Sequence, residues 1–240
     1  MCTVAFLPYK NKFYFASLRD ESPLRKQALA PTIYNADGID IVAPLDGLAG
    51  GTWVGSNSLG NVIILLNGAF ENHERASNYR LSRGLIVKAL LQEEKPATVW
   101  QEMDLQNIEP FTLVVWQQQK LYELVWDGLQ KHWQQLVNTK PHIWASSTLY
   151  NAEAKQQRKA AFQQWWATQP PVSKQSMLSF FQSLHDEKNG FLINRSSTMR
   201  TLSFTFLTQE ATTTTCFYHD FLDATFSSLQ LSIHTSAHVF

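Results

Sequence analysis

Only two cysteines, Cys2 and Cys216, occur in 240 residues, so no disulfide framework is available to hold the fold. Nor does the chain carry excess charge. Its 20 Lys and Arg balance 20 Asp and Glu, and no basic field exists to draw in nucleic acid or an anionic membrane. A Gly-rich phosphate loop is absent. No apolar run approaches the roughly 18 residues that a membrane span needs. The start has no basic segment followed by a long apolar stretch, so no secretory signal is expected. The seven His are dispersed. Only His234 and His238 stand four apart, and no metal-binding spacing such as His-Glu-x-x-His occurs. They are read as surface or core residues, with neither metal nor cofactor expected. A reducing cytoplasm is the expected compartment, and it would keep Cys2 a free thiol.

What is present is an ordinary globular balance, 44% apolar and 17% charged, at a length that can bury a sizeable core without staples. Eight Trp and fifteen Phe imply a bulky core, an aromatic-lined cleft, or both. One domain over residues 1–222 is expected, followed by a Ser-, Thr- and His-rich tail over 223–240 of uncertain order.

Two β-prone runs, 3–7 and 13–18, joined by a short turn, read as a hairpin. Residues 22–50 are broken by Pro and Asp-Gly turn signals, with a short strand over 39–43. The run 62–66 is continuously apolar, as in a strand buried on both faces. Spacing over 78–93 predicts an amphipathic helix closed by Pro96. Runs at 111–116, 121–126 and 132–136 read as an antiparallel meander. A helix is expected over 152–169, with Lys155, Arg158 and Lys159 outward and Phe162, Trp165 and Trp166 inward. A second, capped by Ser173, runs over 174–185. Strands at 191–194, 201–207 and 213–218 close the chain. Strands interleaved with grouped helices indicate a layered α+β protein with mainly antiparallel sheets.

The candidate chemistry begins at Cys2. Aminopeptidases remove a Met that precedes a small residue, and removal of Met1 would leave a thiol and a free α-amine on one residue. The thiol has a free pKa of about 8.5. The α-amine, at about 7.7–8.0, is partly unprotonated near neutrality and can serve as its base. Cys2 also reads simply as the small apolar start of a buried strand. The hairpin register brings Arg19 and Asp20 close to Cys2. Arg19 can hold a thiolate or a carboxylate, and Asp20 can hold an ammonium, although Arg-Asp-Glu is equally an exposed turn. Gly50-Gly51 permits a close backbone approach to a ligand, and Trp53 suits a cleft wall or a core position. Asn67-Gly68, at the end of an apolar strand, fits either an oxyanion hole or a plain turn.

Taken in order, Met1-Cys2-Thr3, Ser17-Leu18-Arg19-Asp20-Glu21, Gly50-Gly51-Thr52-Trp53, Leu66-Asn67-Gly68-Ala69-Phe70 and Arg80-Leu81-Ser82-Arg83-Gly84 resemble the NRDE family, which includes the transport and Golgi organisation proteins. The likeness continues through Glu109-Pro110-Phe111-Thr112-Leu113, Trp126-Asp127-Gly128 and Trp144-Ala145-Ser146-Ser147-Thr148-Leu149-Tyr150, and covers roughly residues 1–207. It implies the four-layer αββα sandwich of the N-terminal-nucleophile hydrolases. Under it, Cys2 is the nucleophile, flanked by Arg19 and Asp20, and Asn67 contributes to the oxyanion hole. Gly51, Trp53, Ser146, Ser147 and Arg200 are the implied substrate-binding residues. Two positions depart from the pattern: Leu18 stands where the family motif has Asn, and a hydroxyl residue at Ser146 or Ser147 stands where related hydrolases have an amide. The implied activity is hydrolysis of a small linear amide. The alternative is a non-catalytic carrier of a hydrophobic ligand, such as haem or an acyl lipid, on the same fold.

Overall fold

The structure is a computed structural model describing residues 3–184, 186–195 and 198–234. Among these residues the chain forms two antiparallel sheets of seven strands each. The first hairpin is β1 (Thr3–Tyr9) and β2 (Lys12–Glu21), with Thr3 opposite Leu18 and Tyr9 opposite Lys12. Both strands lie inside the first sheet. β1 pairs on its other side with β10 (His142–Ala145), and β2 with β12 (Met199–Gln209). Beyond β12 come β13 (Thr213–Asp220) and β14 (Phe226–Ser232), while the short β11 (Asn194–Arg195) also pairs with β12.

The second sheet follows chain order. It runs β3 (Leu29–Ala36), β4 (Ile39–Leu45), β5 (Val54–Asn57), β6 (Val62–Asn67), β7 (Phe111–Gln117), β8 (Lys120–Trp126) and β9 (Lys131–Leu136). The expected meander over β7–β9 is present. Residues 22–50 are more regular than their turn signals suggest. Pro31 and Pro44 fall within β3 and β4, and β3 lies at a sheet edge, where a missing N–H is tolerated.

Side-chain alternation along β1 sets the layers. Val4 and Phe6 pack into the core shared with the second sheet, while Ala5 and Leu7 pack against helices. Those helices are α3 (Ala152–Ala167) and α4 (Lys174–Ser183). On the outer side of the second sheet lie α1 (Arg83–Leu90) and α2 (Pro96–Glu102), which contribute Ile86, Val87, Leu90 and Trp100 to its core. The result is the αββα order α3/α4, sheet, sheet, α1/α2.

The helices differ from expectation in instructive places. Pro96 does not close a helix; it opens α2 from its first turn, where its missing N–H costs nothing. α1 is confined to Arg83–Leu90. Asn151 caps α3 by accepting from Ala154 N, and Ser173 and Ser176 form a reciprocal capping box at α4. The end expected for α4, His185, lies outside the described residues. Arg158 is not outward, as its position among Lys155 and Lys159 suggested, but 1% exposed. Within the described part of the tail, β14 pairs with β13 along its length, with Leu231 buried opposite Thr214.

The aromatic surplus is divided between the inter-sheet core and the core between the first sheet and α3/α4. In the latter, Phe180, Phe181, Phe191 and Phe204 form a chain of rings with centroids 4.7–5.9 Å apart, a spacing that adds to simple burial. Phe181 touches the other three and is fully buried. Phe181→Ala is therefore expected to cost about 3–5 kcal/mol, read as a shift in the midpoint of urea unfolding with an unchanged slope.

Candidate active site

Cys2 lies outside the described residues. Its neighbour Thr3 is fully buried at the start of β1. Arg158 Nη1 donates to Thr3 Oγ1, and the same guanidinium bonds the carbonyls of Gly190 and Asn189. It stacks over the Tyr150 ring at 3.6 Å and lies 5.1 Å from Phe191. The Tyr150 hydroxyl donates to Asp20 Oδ2 at 2.8 Å, and Thr201 Oγ1 donates to Asp20 Oδ1 at 2.6 Å. Asp20 is thus a buried carboxylate oriented by two hydroxyls. Its β2 neighbour Arg19 is also buried.

Arg19 Nη2 meets Asp46 Oδ2 at 2.8 Å, and its guanidinium lies 4.6 Å from the centre of the Trp53 ring. Arg25 completes the knot, with Nε and Nη2 on the two Asp46 oxygens at 2.8 and 2.9 Å. Asp46 also accepts from Leu48 N and Ala49 N, which closes the turn it begins. Burial alone would raise the Asp46 carboxyl. The Arg25 hydrogen bonds, the Ala49 N–H and the Arg25 and Arg19 charges outweigh it and hold the group at about 2.

These residues form part of the wall of a cleft of about 810 Å³. Gly51, Trp53, Leu65 and Asn67 line it, as do Arg75, Arg83 and Glu109, a second ionic group. The form of Gly51 is dictated by backbone rather than ligand. A Cβ there would sit 2.4 Å from the Gly84 carbonyl carbon, where the first turn of α1 presses on the loop and Thr52 N bonds Gly84 O at 3.0 Å. Trp53 is 4% exposed, and its Nε1 has no hydrogen-bond partner among the described residues.

Asn67 is the last residue of β6, and its side-chain amide makes no hydrogen bond among the described residues. It borders both this cleft and a smaller cavity of about 260 Å³ on its far side. The Gly68 N–H is not a spare donor, since it bonds Pro110 O at 3.0 Å, and Gly68 takes φ +81, a conformation that favours glycine. The carbonyls of this segment are fastened in succession. Asn67 O accepts from Ser146 Oγ at 2.7 Å, Gly68 O from Thr112 Oγ1 at 3.0 Å, Ala69 O from Ser147 Oγ, and Phe70 O from Lys155 Nζ at 3.2 Å. Ser146 and Ser147 line the smaller cavity and brace Asn67 from behind.

The structure thus gathers Arg19, Gly51, Trp53 and Asn67 on one cleft and sets Asp20 buried beside Arg19. Arg200 is not gathered with them. It is exposed on β12, opposite Glu21, and absent from the cleft lining. Asp46, Arg25, Glu109, Tyr150 and Thr201 belong to the site region but were not singled out from sequence. Asp46 showed there only as an Asp-Gly turn. Among the described residues no cluster of His, Cys, Asp and Glu could hold a metal ion. No helix is long and apolar enough to cross a membrane.

Because the folded Asp46 carboxyl titrates below its unfolded value, its stabilisation is complete above about pH 4–5 and is lost as pH falls through about 2. Asp46→Asn should lower stability by roughly 2 kcal/mol at neutral pH and flatten the decline of stability between these limits, as measured by urea unfolding across pH.

The same sandwich is found in solved hydrolases. The Caenorhabditis elegans ortholog of N-acylethanolamine-hydrolyzing acid amidase superposes with a TM-score of 0.62 at 11% identity, covering 86% of this chain and 92% of that one. Two variants of conjugated bile acid hydrolase from Clostridium perfringens superpose at 0.56 and 0.55, each 7% identical. The first covers 100% of both chains, and the second covers 95% of this chain and 92% of the other. At such identities the likeness establishes the fold, that of the N-terminal-nucleophile hydrolases. No curated protein sequence matches the chain. Residues 1–219 match the family described as Transport and Golgi organisation 2, and the chain belongs to that family.

Proposed function

We propose that this protein is a cysteine amidase of the N-terminal-nucleophile type, with Cys2 as nucleophile once Met1 is removed. The observation that supports the reading is that Arg19 and Asn67 line one cleft, with Asp20 buried next to Arg19 on β2, the strand whose Leu18 lies opposite Thr3 at the start of β1. A single peptide link, about 3.8 Å between α-carbons, joins Cys2 to Thr3. Two of the solved proteins of like fold are named as an N-acylethanolamine-hydrolyzing acid amidase and a conjugated bile acid hydrolase, which agrees with hydrolytic chemistry.

In the proposed reaction the Cys2 α-amine takes the thiol proton, and Sγ attacks the carbonyl carbon of the amide. The oxyanion of the tetrahedral intermediate is held by the Asn67 side-chain amide, a contribution of about 2.7–4 kcal/mol for one such donor. The C–N bond then breaks, and the α-ammonium returns its proton to the leaving nitrogen. Water attacks the thioester, giving up a proton to the same amine, and the acid departs with the thiol restored. Asp20 holds the α-ammonium. Arg19, fixed by Asp46, favours the thiolate.

The carrier reading has less support. The main cleft is lined by arginines, carboxylates and hydroxyls, and most of the aromatic surplus is spent in the core. A carrier of haem or acyl lipid would need that apolar surface in the cleft.

Cys216 provides an internal control, since burial pushes its thiol up to about 12. Intact-mass analysis with brief iodoacetamide treatment over about pH 5 to 9 should show loss of Met1. Cys2 should alkylate about tenfold faster than free cysteine at pH 7, with Cys216 unmodified. Retained Met1, or a Cys2 no faster than free cysteine, would rule the mechanism out.

A further inference from the structure

The charges lining the cleft do not cancel evenly. In one group, Arg19 and Arg25 face Asp46 and Glu21, two cations against two anions. In the other, Arg75 and Arg83 share one carboxylate, Glu109, at 3.8 and 3.1 Å. His73 also lies 3.5 Å from that carboxylate. Glu21, engaged with Arg25, acts on Arg83 only at longer range. Among the described residues the lining carries four guanidiniums, Arg19, Arg25, Arg75 and Arg83, against three carboxylates, Glu21, Asp46 and Glu109, with no Lys or His, so one positive charge is in excess and faces the interior.

We propose that Arg75 and Arg83 form an anion subsite, and that the substrate is an amide carrying a carboxylate close to the scissile carbonyl, of which an N-acyl amino acid is the simplest case. The substrate assignment rests on the amidase reading above.

Donor capacity supports the subsite. Arg83 spends Nη1 on Pro110 O at 3.1 Å and meets Glu109 through Nη2, and a guanidinium has five N–H groups. Arg75 makes no hydrogen bond among the described residues, and its side chain is 78% exposed, free to swing onto a ligand. Burial pushes the Arg83 guanidinium down, Glu109 pulls it up, the like charge of Arg75 pushes it down again, and Tyr79 and Glu21 add smaller upward pulls, with a net lowering. A bound anion would relieve that repulsion.

The spacing limits what the anion can belong to. Arg83 Nη1 and Gly68 N both bond the same oxygen, Pro110 O, at 3.1 and 3.0 Å. The two nitrogens are thus at most 3.1 + 3.0 = 6.1 Å apart. The anion-binding guanidinium therefore lies within one small residue's reach of the Asn67–Gly68 segment. In an N-acyl amino acid the amide carbon and the carboxylate carbon are one residue apart, roughly 3.5 Å when extended. Such a molecule could set its carbonyl at Asn67 and its carboxylate at Arg83 together. A neutral amide would leave the extra positive charge unmet.

The test is calorimetric titration of the full-length Cys2→Ala protein, which cannot turn over, with N-acetylglycine and with its neutral counterpart N-acetylglycinamide. The acid should bind about tenfold tighter than the amide, and added salt should narrow the gap. Adding Arg83→Gln should abolish the preference. Arg75→Gln, at an exposed position that folding does not depend on, should reduce it several-fold. Equal affinity for the two probes, no heat from the acid up to millimolar concentration, or a preference that survives both Arg changes would overturn the subsite. The alkylation of Cys2 is read separately in the unsubstituted protein, so the amidase mechanism can fail while the subsite stands, or the reverse.

Discussion

A buried guanidinium with no carboxylate partner among the described residues organises the region around the N-terminus. Arg158 is 1% exposed, and moving such a charge out of water carries a penalty of several kcal/mol. The fold offsets this with carbonyl oxygens of Gly190 and Asn189, the Thr3 hydroxyl, and the faces of Tyr150 and Phe191. Ring faces attract a desolvated cation by about 2 kcal/mol. Through these contacts one side chain of α3 registers the start of β1, the loop before β11, and the tyrosine that orients Asp20. If Arg158 moved, both the strand leading from Cys2 and the Asp20 carboxylate would lose their common reference.

The sandwich separates two kinds of burial. Between the first sheet and α3/α4 the chain packs rings against rings, a dry layer held by area. At the far end of β2 it buries ionic groups instead, Asp46 with Arg19 at the cleft and Asp20 away from the cleft lining. Asp46 collects Arg19, Arg25 and two backbone N–H groups; Asp20 collects two hydroxyls. A half-satisfied version of either network would be costly in low dielectric, so the site and the stability of its surroundings are tied to the same bonds.

Much of this architecture was legible in the sequence where periodicity alone decides the outcome. The β1–β2 hairpin, the β7–β9 meander and the buried run of β6 follow from apolar alternation and turn residues. Arg158 was not legible, because a charge between two lysines on a polar helix face reads as solvated. It is buried only because the loop at Asn189–Gly190 supplies carbonyls from far along the chain. Pro96 is ambiguous in sequence for a related reason: the same residue ends one helix or begins another, and the pattern before it does not distinguish them. Asp46 looked like a turn former and is one, but its second task depends on Arg19 and Arg25 arriving from another strand and loop. Residues 22–50 carry enough Pro and Gly to mask strands that only pairing with neighbours stabilises. Asn67, Arg19 and Trp53, by contrast, were visible as candidates, since each sits at the end or edge of a pattern whose interior is apolar.

The fastening of four successive carbonyls, from Asn67 to Phe70, has a further consequence for the chemistry of the cleft. A peptide plane held at its oxygen can rotate little, so the point from which the Asn67 side chain leaves the backbone is set during folding, before any ligand arrives. Only the side chain's own torsions are left to be ordered when a ligand binds, a smaller entropic cost than ordering a loose segment. The braces lie in the smaller cavity, behind the cleft. The rigidity of the cleft wall therefore comes from side chains that need never touch a ligand.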